Sequence, residues 1–381
     1  MKKILFIVPS LEGGGVEKVL INMLKMFSDD MYRITVLGIL NKGTRLGEIP
    51  NNVRVQFVWK RELLIGGKRI RGTDRLFHVL FECLSPGMLH KIFVREKYDI
   101  EVAYWGQEGL KLVLGAGEKT RKYAFIHSDM NAPSMQKAIF PFKSNEQLKE
   151  AYLKMDYIVN VSKDCQKSMA ERFVFNKAEQ KKNIVKYNIN LVEEISAYAK
   201  EEVEIMQVEQ NFVMCTSGRL CKVKGFERLI RICGKLKEEI SNFELWILGE
   251  GDERGVLEDA IKRYDVEQYV KLLGYKINPY QYMAKADLFV CSSFYEGFST
   301  VVSEAVILGL PIVTTDCTGA REILGDSEYG LVTDIDDESL YLGIKKMISD
   351  KEVYNTYKAK VIERQAFFDV NRRFSELEEL F

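Results

Sequence analysis

The sequence predicts an α/β fold made of two domains, each built around a sheet of parallel strands. Short apolar segments alternate with amphipathic helical segments along the chain, which is the pattern of successive βα units. A chain of 381 residues is too long for one ordinary hydrophobic core and fits two domains of near-equal size. No internal repeat or low-complexity segment interrupts this alternation.

The first half of the chain predicts one parallel sheet. Its strands are expected to begin near Ile4, Ile34, Val55, Ile100, Tyr123 and Tyr157, with a last strand at Ile184-Val185. The polar and acidic segment 188–210 follows, and we interpret it as a linker that contains a short helix. These boundaries assign residues 1–190 to an N-terminal domain.

A second βα series fills most of the remaining chain and predicts a C-terminal domain over residues 205–363. Its strands are expected at 212–215, 245–248, 270–273, 288–290, 312–314 and 330–332. The segment from Ala366 to Phe381 is predicted as a final helix. Its apolar stripe would consist of Phe367, Phe368, Phe374, Leu377 and Leu380.

The segment between Glu296 and Glu304 indicates the chemistry of the protein. A short apolar strand over 286–292 ends just before Glu296, and a helix is expected from Thr300 onward. The turn between them presents unpaired backbone N–H groups at the positive end of a helix dipole, which favours an anion. Glu304 lies one helical turn beyond Thr300 on the same face. This arrangement suits a sugar nucleotide, with its diphosphate on the amides, its ribose on one carboxylate and its sugar near the other.

The two glutamates resemble the Glu-x7-Glu signature of the retaining family-4 glycosyltransferases, which have the GT-B fold. Because two carboxylates at this spacing are common, the resemblance depends on companion motifs in the same order. These motifs are Leu5-Phe6-Ile7-Val8-Pro9, Gly13-Gly14-Gly15-Val16-Glu17, Ser217-Gly218-Arg219-Leu220, Lys224-Gly225-Phe226, Gly249-Glu250-Gly251 and Leu273-Gly274. The resemblance implies two Rossmann-like domains whose parallel sheets face each other across a cleft. It also implies that the final helix, about residues 364–381, returns to the first domain.

The resemblance further implies a donor site in the C-terminal domain. Arg219 and Lys224 would neutralise the leaving nucleoside diphosphate, whose negative charge grows as the glycosidic bond breaks. Glu304 would bind the ribose hydroxyls, and Glu296 would lie against the transferred sugar. The remaining donor contacts would come from Gly274 and Tyr275 near the base, and from Gly297, Phe298, Ser299 and Thr300 near the diphosphate.

The N-terminal domain would complete the site. Gly14 and Gly15 would let backbone amides approach the diphosphate or the sugar, although a simple strand-to-helix turn is the alternative interpretation. His127 follows an apolar strand and, by the resemblance, would polarise a hydroxyl of the donor sugar. Trp105-Gly106 follows another strand and fits either the acceptor side or core packing.

The implied reaction moves a sugar, with retention of anomeric configuration, from a nucleoside-diphosphate sugar to a glycan or lipid-linked acceptor. A UDP-sugar is the favoured donor, cell-surface polysaccharide biosynthesis the expected context, and no metal or other cofactor is expected. The alternatives are a GT-B nucleotide-sugar epimerase and a non-catalytic nucleotide-sugar-binding protein, and the intact Arg219–Lys224 and Glu296–Glu304 pairs argue against both. A dinucleotide-dependent oxidoreductase is disfavoured because Lys18 stands where the third glycine of Gly-x-Gly-x-x-Gly would be.

Composition predicts a reduced, cytoplasmic protein. The seven cysteines form no Cys-x-x-Cys pair, which favours neither a disulfide framework nor a zinc site. No stretch approaches the roughly 18 apolar residues of a membrane span. The chain begins directly with strand-forming residues, without the pattern of a signal peptide.

The balanced net charge conceals an asymmetry between the two halves. Residues 1–190 contain 32 Lys and Arg against 20 Asp and Glu, and the remaining residues contain 23 against 35. Lysines on solvated helices are one interpretation. The other is that the basic and apolar segments Lys60–Arg71 and Lys91–Arg95 bind an anionic membrane surface, which would make the protein peripheral at the inner face of the membrane. Nucleic acid is not expected, because no recognition motif accompanies the charge.

Overall fold

The computed structural model describes residues 1–12, 14–40, 43, 45–59, 64–65, 68–69, 78–202 and 211–381. Gly13, residues 203–210 of the expected linker and most of the basic segment Lys60–Arg71 lie outside the described residues.

The first sheet is parallel throughout, as the sequence predicts. Its strands are β1 (Lys2–Val8), β2 (Tyr32–Leu40), β3 (Arg54–Trp59), β6 (Ile100–Ala103), β7 (Arg121–Ile126), β8 (Tyr157–Asn160) and β9 (Asn183–Val185). Their order across the sheet is β3-β2-β1-β6-β7-β8-β9. A small antiparallel hairpin of β4 (Leu64–Ile65) and β5 (Lys68–Arg69) stands apart from this sheet, and the sequence analysis did not foresee it.

The second sheet is also parallel, which confirms the second predicted βα series. It contains β10 (Phe212–Ser217), β11 (Phe243–Leu248), β12 (Val270–Gly274), β13 (Leu288–Cys291), β14 (Ile312–Thr315) and β15 (Leu331–Thr333). The order is β12-β11-β10-β13-β14-β15. Since β10 and β13 are neighbours, the loops that follow them emerge side by side at the carboxyl edge of the sheet.

Helices connect the strands of both sheets. Those up to residue 189 are α1 (Gly15–Met26), α2 (78–83), α3 (Pro86–Phe93), α4 (Gln107–Val113), α5 (Pro133–Lys137), α6 (Asn145–Leu153) and α7 (Lys163–Phe173). The later ones are α8 (Val192–Tyr198), α9 (Phe226–Leu236), α10 (Arg254–Arg263), α11 (Tyr280–Met283), α12 (Thr300–Ile307), α13 (Ala320–Leu324), α14 (Asp337–Ser349), α15 (Lys351–Arg364) and α16 (Val370–Glu378). Short 3-10 helices cover Leu46–Glu48, Glu179–Lys182, Lys222–Lys224 and Gln365–Phe368. None of the helices among the described residues combines the length and apolar character that a membrane span requires.

The chain divides into two compact units, each with its own core. The first unit comprises Met1–Ile189 with Arg373–Phe381, and the second comprises Asn190–Arg372. Helix α8 belongs to the second unit because it packs on α11 and α12, although the sequence analysis treated its segment as part of the linker. Residues 365–372 also stay with the second unit, where Gln365 donates a hydrogen bond to the Ile307 carbonyl over 2.9 Å.

The last nine residues pack against the first sheet through aromatic rings. The ring centroid of Phe381 lies 5.3 Å from that of Phe27 and 5.9 Å from that of Phe6, and the Phe374 centroid lies 5.4 Å from that of Phe27. Tyr123 donates its hydroxyl to the Leu380 carbonyl. The chain terminus is therefore part of the first hydrophobic core.

We expect Phe381→Ala to lower the free energy of unfolding of the first unit by about 3 kcal/mol. This is the low end of the range for buried aromatic truncations. Thermal unfolding followed by circular dichroism would measure the effect. Met31→Ala, at a side chain that is 56% exposed, is the control, and an equal loss in both variants would contradict the assignment of Phe381 to the core.

Candidate active site

The central contact of the second unit is an ion pair between Lys224 and Glu296. Lys224 ends the 3-10 helix after β10, and Glu296 lies in the loop after β13, so neighbouring strands bring them together. Lys224 Nζ lies 2.7 Å from Glu296 Oε1, and the hydroxyl of Ser293 donates to the same oxygen over 2.7 Å. Burial on its own lowers the pKa of Lys224, but the Glu296 carboxylate outweighs burial and raises it. The ammonium group therefore stays charged at neutral pH.

The glycine after Lys224 makes this arrangement possible. Gly225 has φ of +66°, and a Cβ at this position would lie 2.2 Å from the backbone oxygen of Ser292. Only glycine adopts this conformation readily and lets the loop after β10 approach the end of β13 so closely. Two hydrogen bonds join the loops, from Ser292 Oγ to the Lys224 carbonyl and from the Phe294 amide to the Val223 carbonyl, both 2.8 Å long.

The predicted diphosphate turn, Gly297 to Thr300, leads into α12 as expected. Ser299 is the N-cap residue and is only 2% exposed. Its hydroxyl is buried, and no described residue forms a hydrogen bond with it. An unpaired buried hydroxyl is costly, and here it lies at a helix N-terminus, where backbone N–H groups favour an anion. The turn thus has the features of a phosphate-binding site.

Glu304 lies in α12, one helical turn beyond Thr300, and is 3% exposed. The hydroxyl of Tyr280, from α11, lies 3.2 Å from Glu304 Oε1 and donates to it. The Tyr280 ring stacks on Tyr198 of α8, with 6.5 Å between the centroids. Glu304 is therefore held in one orientation by a tyrosine that is itself held by packing.

The other predicted donor residues of the second unit lie at the same carboxyl edge of the sheet. Gly274 ends β12 with φ of +73° and accepts a hydrogen bond from the Gly249 amide over 2.9 Å. Tyr275 follows it and is 52% exposed. Arg219 follows β10 with an exposed side chain that forms no ion pair within the described part of the chain.

In the first unit, the glycine loop caps α1. The Gly14 amide donates to Glu17 Oε2 over 2.9 Å, so this amide already has a partner in its own helix. That contact agrees with the alternative interpretation of Gly14, a strand-to-helix turn. Gly15 is the first residue of α1, where an N–H group has no partner within the helix.

His127 follows β7 and lies among aromatic rings. Its ring centroid is 4.6 Å from that of Tyr104 and 6.1 Å from that of Phe125. Burial lowers the pKa of His127 to about 3, although a hydrogen bond with the Tyr104 backbone opposes this shift. The imidazole is therefore neutral at physiological pH. Its Nε2 atom is buried and has no partner among the described residues.

Sequence reasoning missed two supporting residues. Ser293 contacts Glu296, and the polar Ser292-Ser293 pair after an apolar strand was a weak sign of this role. Tyr280 contacts Glu304, but no pattern in the sequence connects positions so far apart, since the contact depends on how α11 packs on α12.

Comparisons with known proteins agree with this geometry. Residues 199–364 match the family model described as glycosyl transferases group 1. A relative from Campylobacter jejuni, N-acetylgalactosamine-N,N'-diacetylbacillosaminyl-diphospho-undecaprenol 4-alpha-N-acetylgalactosaminyltransferase, is 36% identical over 220 residues, which are 57% of this chain and 58% of the relative. The lipopolysaccharide core biosynthesis glycosyltransferase LpsE of Rhizobium meliloti is 31% identical over 40% of this chain and 43% of its own length. The chain thus spans about half of the length of the curated relatives it matches.

Solved structures show that the fold is GT-B. TarM of S. aureus, determined with fondaparinux, alpha-GlcNAc-glycerol and UDP, superposes with a TM-score of 0.78 at 14% identity, covering 100% of this chain and 99% of that one. Anabaena HepE, determined with UDP and glucose, superposes with a TM-score of 0.73 at 21% identity and the same coverage. The predicted GT-B fold is confirmed.

We expect Tyr280→Phe to weaken binding of a nucleoside diphosphate about threefold to tenfold, on the scale of the net contribution of one ordinary hydrogen bond. The loss should appear in KM for the donor, with kcat nearly unchanged, because the tyrosine acts through Glu304. Tyr282→Phe, in the same short helix, is the matched control. If Tyr280→Phe left donor KM unchanged, the positioning role would be wrong.

Proposed function

We propose that this chain, whose residues 199–364 match the family model of the glycosyl transferases group 1, is a retaining glycosyltransferase. It would move a sugar from a nucleoside-diphosphate sugar to a glycan or lipid-linked acceptor. The observation that carries the proposal is the cluster formed by the Lys224–Glu296 pair and the unpaired hydroxyl of Ser299 at the start of α12.

The cluster supplies positive charge where a leaving diphosphate needs it. Lys224 and Arg219 would bind the diphosphate oxygens, and the α12 amides together with Ser299 Oγ would bind those nearest the helix. Negative charge on the diphosphate increases as the bond to the sugar breaks, so these groups stabilise the transition state more than the ground state. These positive groups perform the task that a divalent metal performs in other transferases, and the proposal requires no cofactor.

The two glutamates would have separate tasks. Glu304, oriented by Tyr280, would accept hydrogen bonds from the ribose hydroxyls. Glu296 would bind hydroxyls of the transferred sugar and stabilise positive charge at the anomeric carbon. For the retaining reaction we infer front-face attack, in which a donor phosphate oxygen takes the proton of the acceptor hydroxyl. In this scheme Glu296 forms no covalent bond to the sugar, unlike the nucleophile of a retaining glycosidase.

The similar proteins support a choice of donor base and of acceptor class. Uracil is the favoured base, since both TarM and HepE were determined with UDP. A lipid-linked saccharide is the favoured acceptor, since the name of the Campylobacter relative specifies a diphospho-undecaprenol substrate. Gly274 and Tyr275 would lie near the base.

A lipid-linked acceptor would bring the protein to a membrane surface. Residues 1–190 carry the excess of positive charge, and helix α3 adds exposed apolar side chains to it. Met88 and Ile92, one helical turn apart, are 56% and 51% exposed, and Lys91 and Arg95 are exposed beside them. Apolar side chains among cations suit the interface of an anionic bilayer. We infer peripheral association at the cytoplasmic face of the membrane.

Replacement of the diphosphate cations tests the reaction. We expect Lys224→Ala and Arg219→Ala each to lower turnover about 10²-fold or more, as removal of an oxyanion donor does. Isothermal titration with UDP should also show weaker binding. Lys222→Ala, in the same 3-10 helix as Lys224, is the control. Wild-type turnover and UDP affinity in both variants would refute the assignment.

Vesicle sedimentation tests whether the protein binds a membrane through this surface. The protein should sediment with anionic vesicles at low salt and be released as salt rises. A Met88→Ser/Ile92→Ser variant should bind several-fold less, whereas Val174→Ser, at a side chain that is 79% exposed, should bind like the wild type. Equal recovery with neutral and anionic vesicles would contradict membrane binding and would indicate that the basic residues are only exposed to solvent.

A further inference from the structure

A cavity of about 290 Å³ opens at the carboxyl edge of the first sheet, where β1, β6 and β7 end. This volume is about that of ten water molecules in the liquid, enough for a substituted sugar ring. Most of its walls are apolar, formed by Pro9, Ala103, Leu110, Ala124, Ile126 and Met130, with others alongside. None of the described residues that line it is a lysine or an arginine, so this lining suits an uncharged ligand with an apolar group.

His127 lines this cavity and carries a hydrogen-bond acceptor that has no partner among the described residues. One ring nitrogen interacts with the Tyr104 backbone, and Nε2 is buried without a partner among the described residues. Since the ring is neutral, a proton on the nitrogen that faces Tyr104 leaves a lone pair on Nε2. The ligand must therefore present an N–H or O–H group there.

Tyr152, which also lines the cavity, can donate a hydrogen bond. Burial raises the pKa of Tyr152 to about 12, so its hydroxyl keeps its proton. Burial also raises the pKa of Glu108, whose side chain lines the same cavity. A Cβ at Gly106 would lie 2.8 Å from Pro9 Cγ and 3.2 Å from Glu108 Oε2, so the glycine leaves room for the carboxyl group of Glu108.

We propose that this cavity binds the acetamido group of an N-acetylated sugar. The methyl group would contact the apolar walls, the amide N–H would donate to His127 Nε2, and the carbonyl oxygen would accept from the hydroxyl of Tyr152. A simple hexose would place a hydroxyl against the same apolar walls, where it loses hydration without a partner. This inference rests on the proposed function and specifies the class of saccharide that the enzyme selects.

Binding of simple glycosides to the full chain tests the proposal without knowledge of the natural substrate. Methyl N-acetylglucosaminide or methyl N-acetylgalactosaminide should bind about tenfold more tightly than methyl glucoside, on the scale of one buried methyl group and one hydrogen bond. Saturation-transfer NMR should show the acetyl methyl group as the most saturated position. Equal affinity for the acetylated and plain glycosides would overturn the proposal.

A variant that fills the cavity locates the binding site. Ala138 is half-buried and lines the cavity, so Ala138→Leu should remove the preference for acetylated glycosides. Ala170→Leu, at a half-buried alanine of α7 outside the cavity lining, should retain it. An unchanged preference in an Ala138→Leu protein with wild-type Tm would overturn the assignment. Displacement of the glycoside by geranyl phosphate alone would also overturn it, because that result would assign the cavity to a lipid chain.

UDP binding separates this inference from the proposed function. If UDP binds to the wild type and no acetylated glycoside does, only the cavity assignment fails. If no nucleoside diphosphate binds, the proposed function fails, whatever the glycosides show.

Discussion

The contact between the loops after β10 and β13 is the constraint on which the second unit depends. Gly225 lets the backbones meet, Ser292 and Phe294 fix the two loops with hydrogen bonds, and Lys224 then reaches Glu296. A partly buried cation and carboxylate are stable together because each compensates the other's loss of hydration. A phosphate group that approached Lys224 would compete with Glu296 for the same ammonium group, so under the proposed function donor binding and the orientation of Glu296 would be coupled.

Parallel topology explains why residues so distant in sequence converge. All strands of a parallel sheet end at the same edge, and the order of strands, not the order of the chain, decides which loops are neighbours. Strands β10 and β13 are adjacent although β11 and β12 lie between them in sequence. In the first unit the same rule brings the segments after β1, β6 and β7 to one cavity, where Pro9, Gly106 and His127 line a common wall.

Buried polar groups divide into those that are satisfied within the fold and those that are not. Glu304 has Tyr280, and Gly14 has Glu17, so these contacts hold the scaffold in place. The hydroxyl of Ser299 and Nε2 of His127 are buried without partners among the described residues. Folded chains rarely leave such groups unpaired, and those that remain are often where a ligand supplies the missing partner. Ser299 and His127 each follow a strand of their own sheet, so both atoms lie toward its carboxyl edge.

The sequence by itself determined the secondary structure of both sheets and the residues around the Glu-x7-Glu element. Short apolar runs predict the strands. The turn from Glu296 into α12 is formed by residues adjacent in sequence, so the local sequence suffices to predict it. Only the tertiary structure decided that Tyr280 orients Glu304, that Phe381 completes the first core, and that the amide of Gly14 is already occupied by Glu17. The pairing of Lys224 with Glu296 likewise needs the adjacency of β10 and β13. Such contacts depend on strand order and helix packing, which join positions far apart in the chain and leave no periodic signal in the sequence.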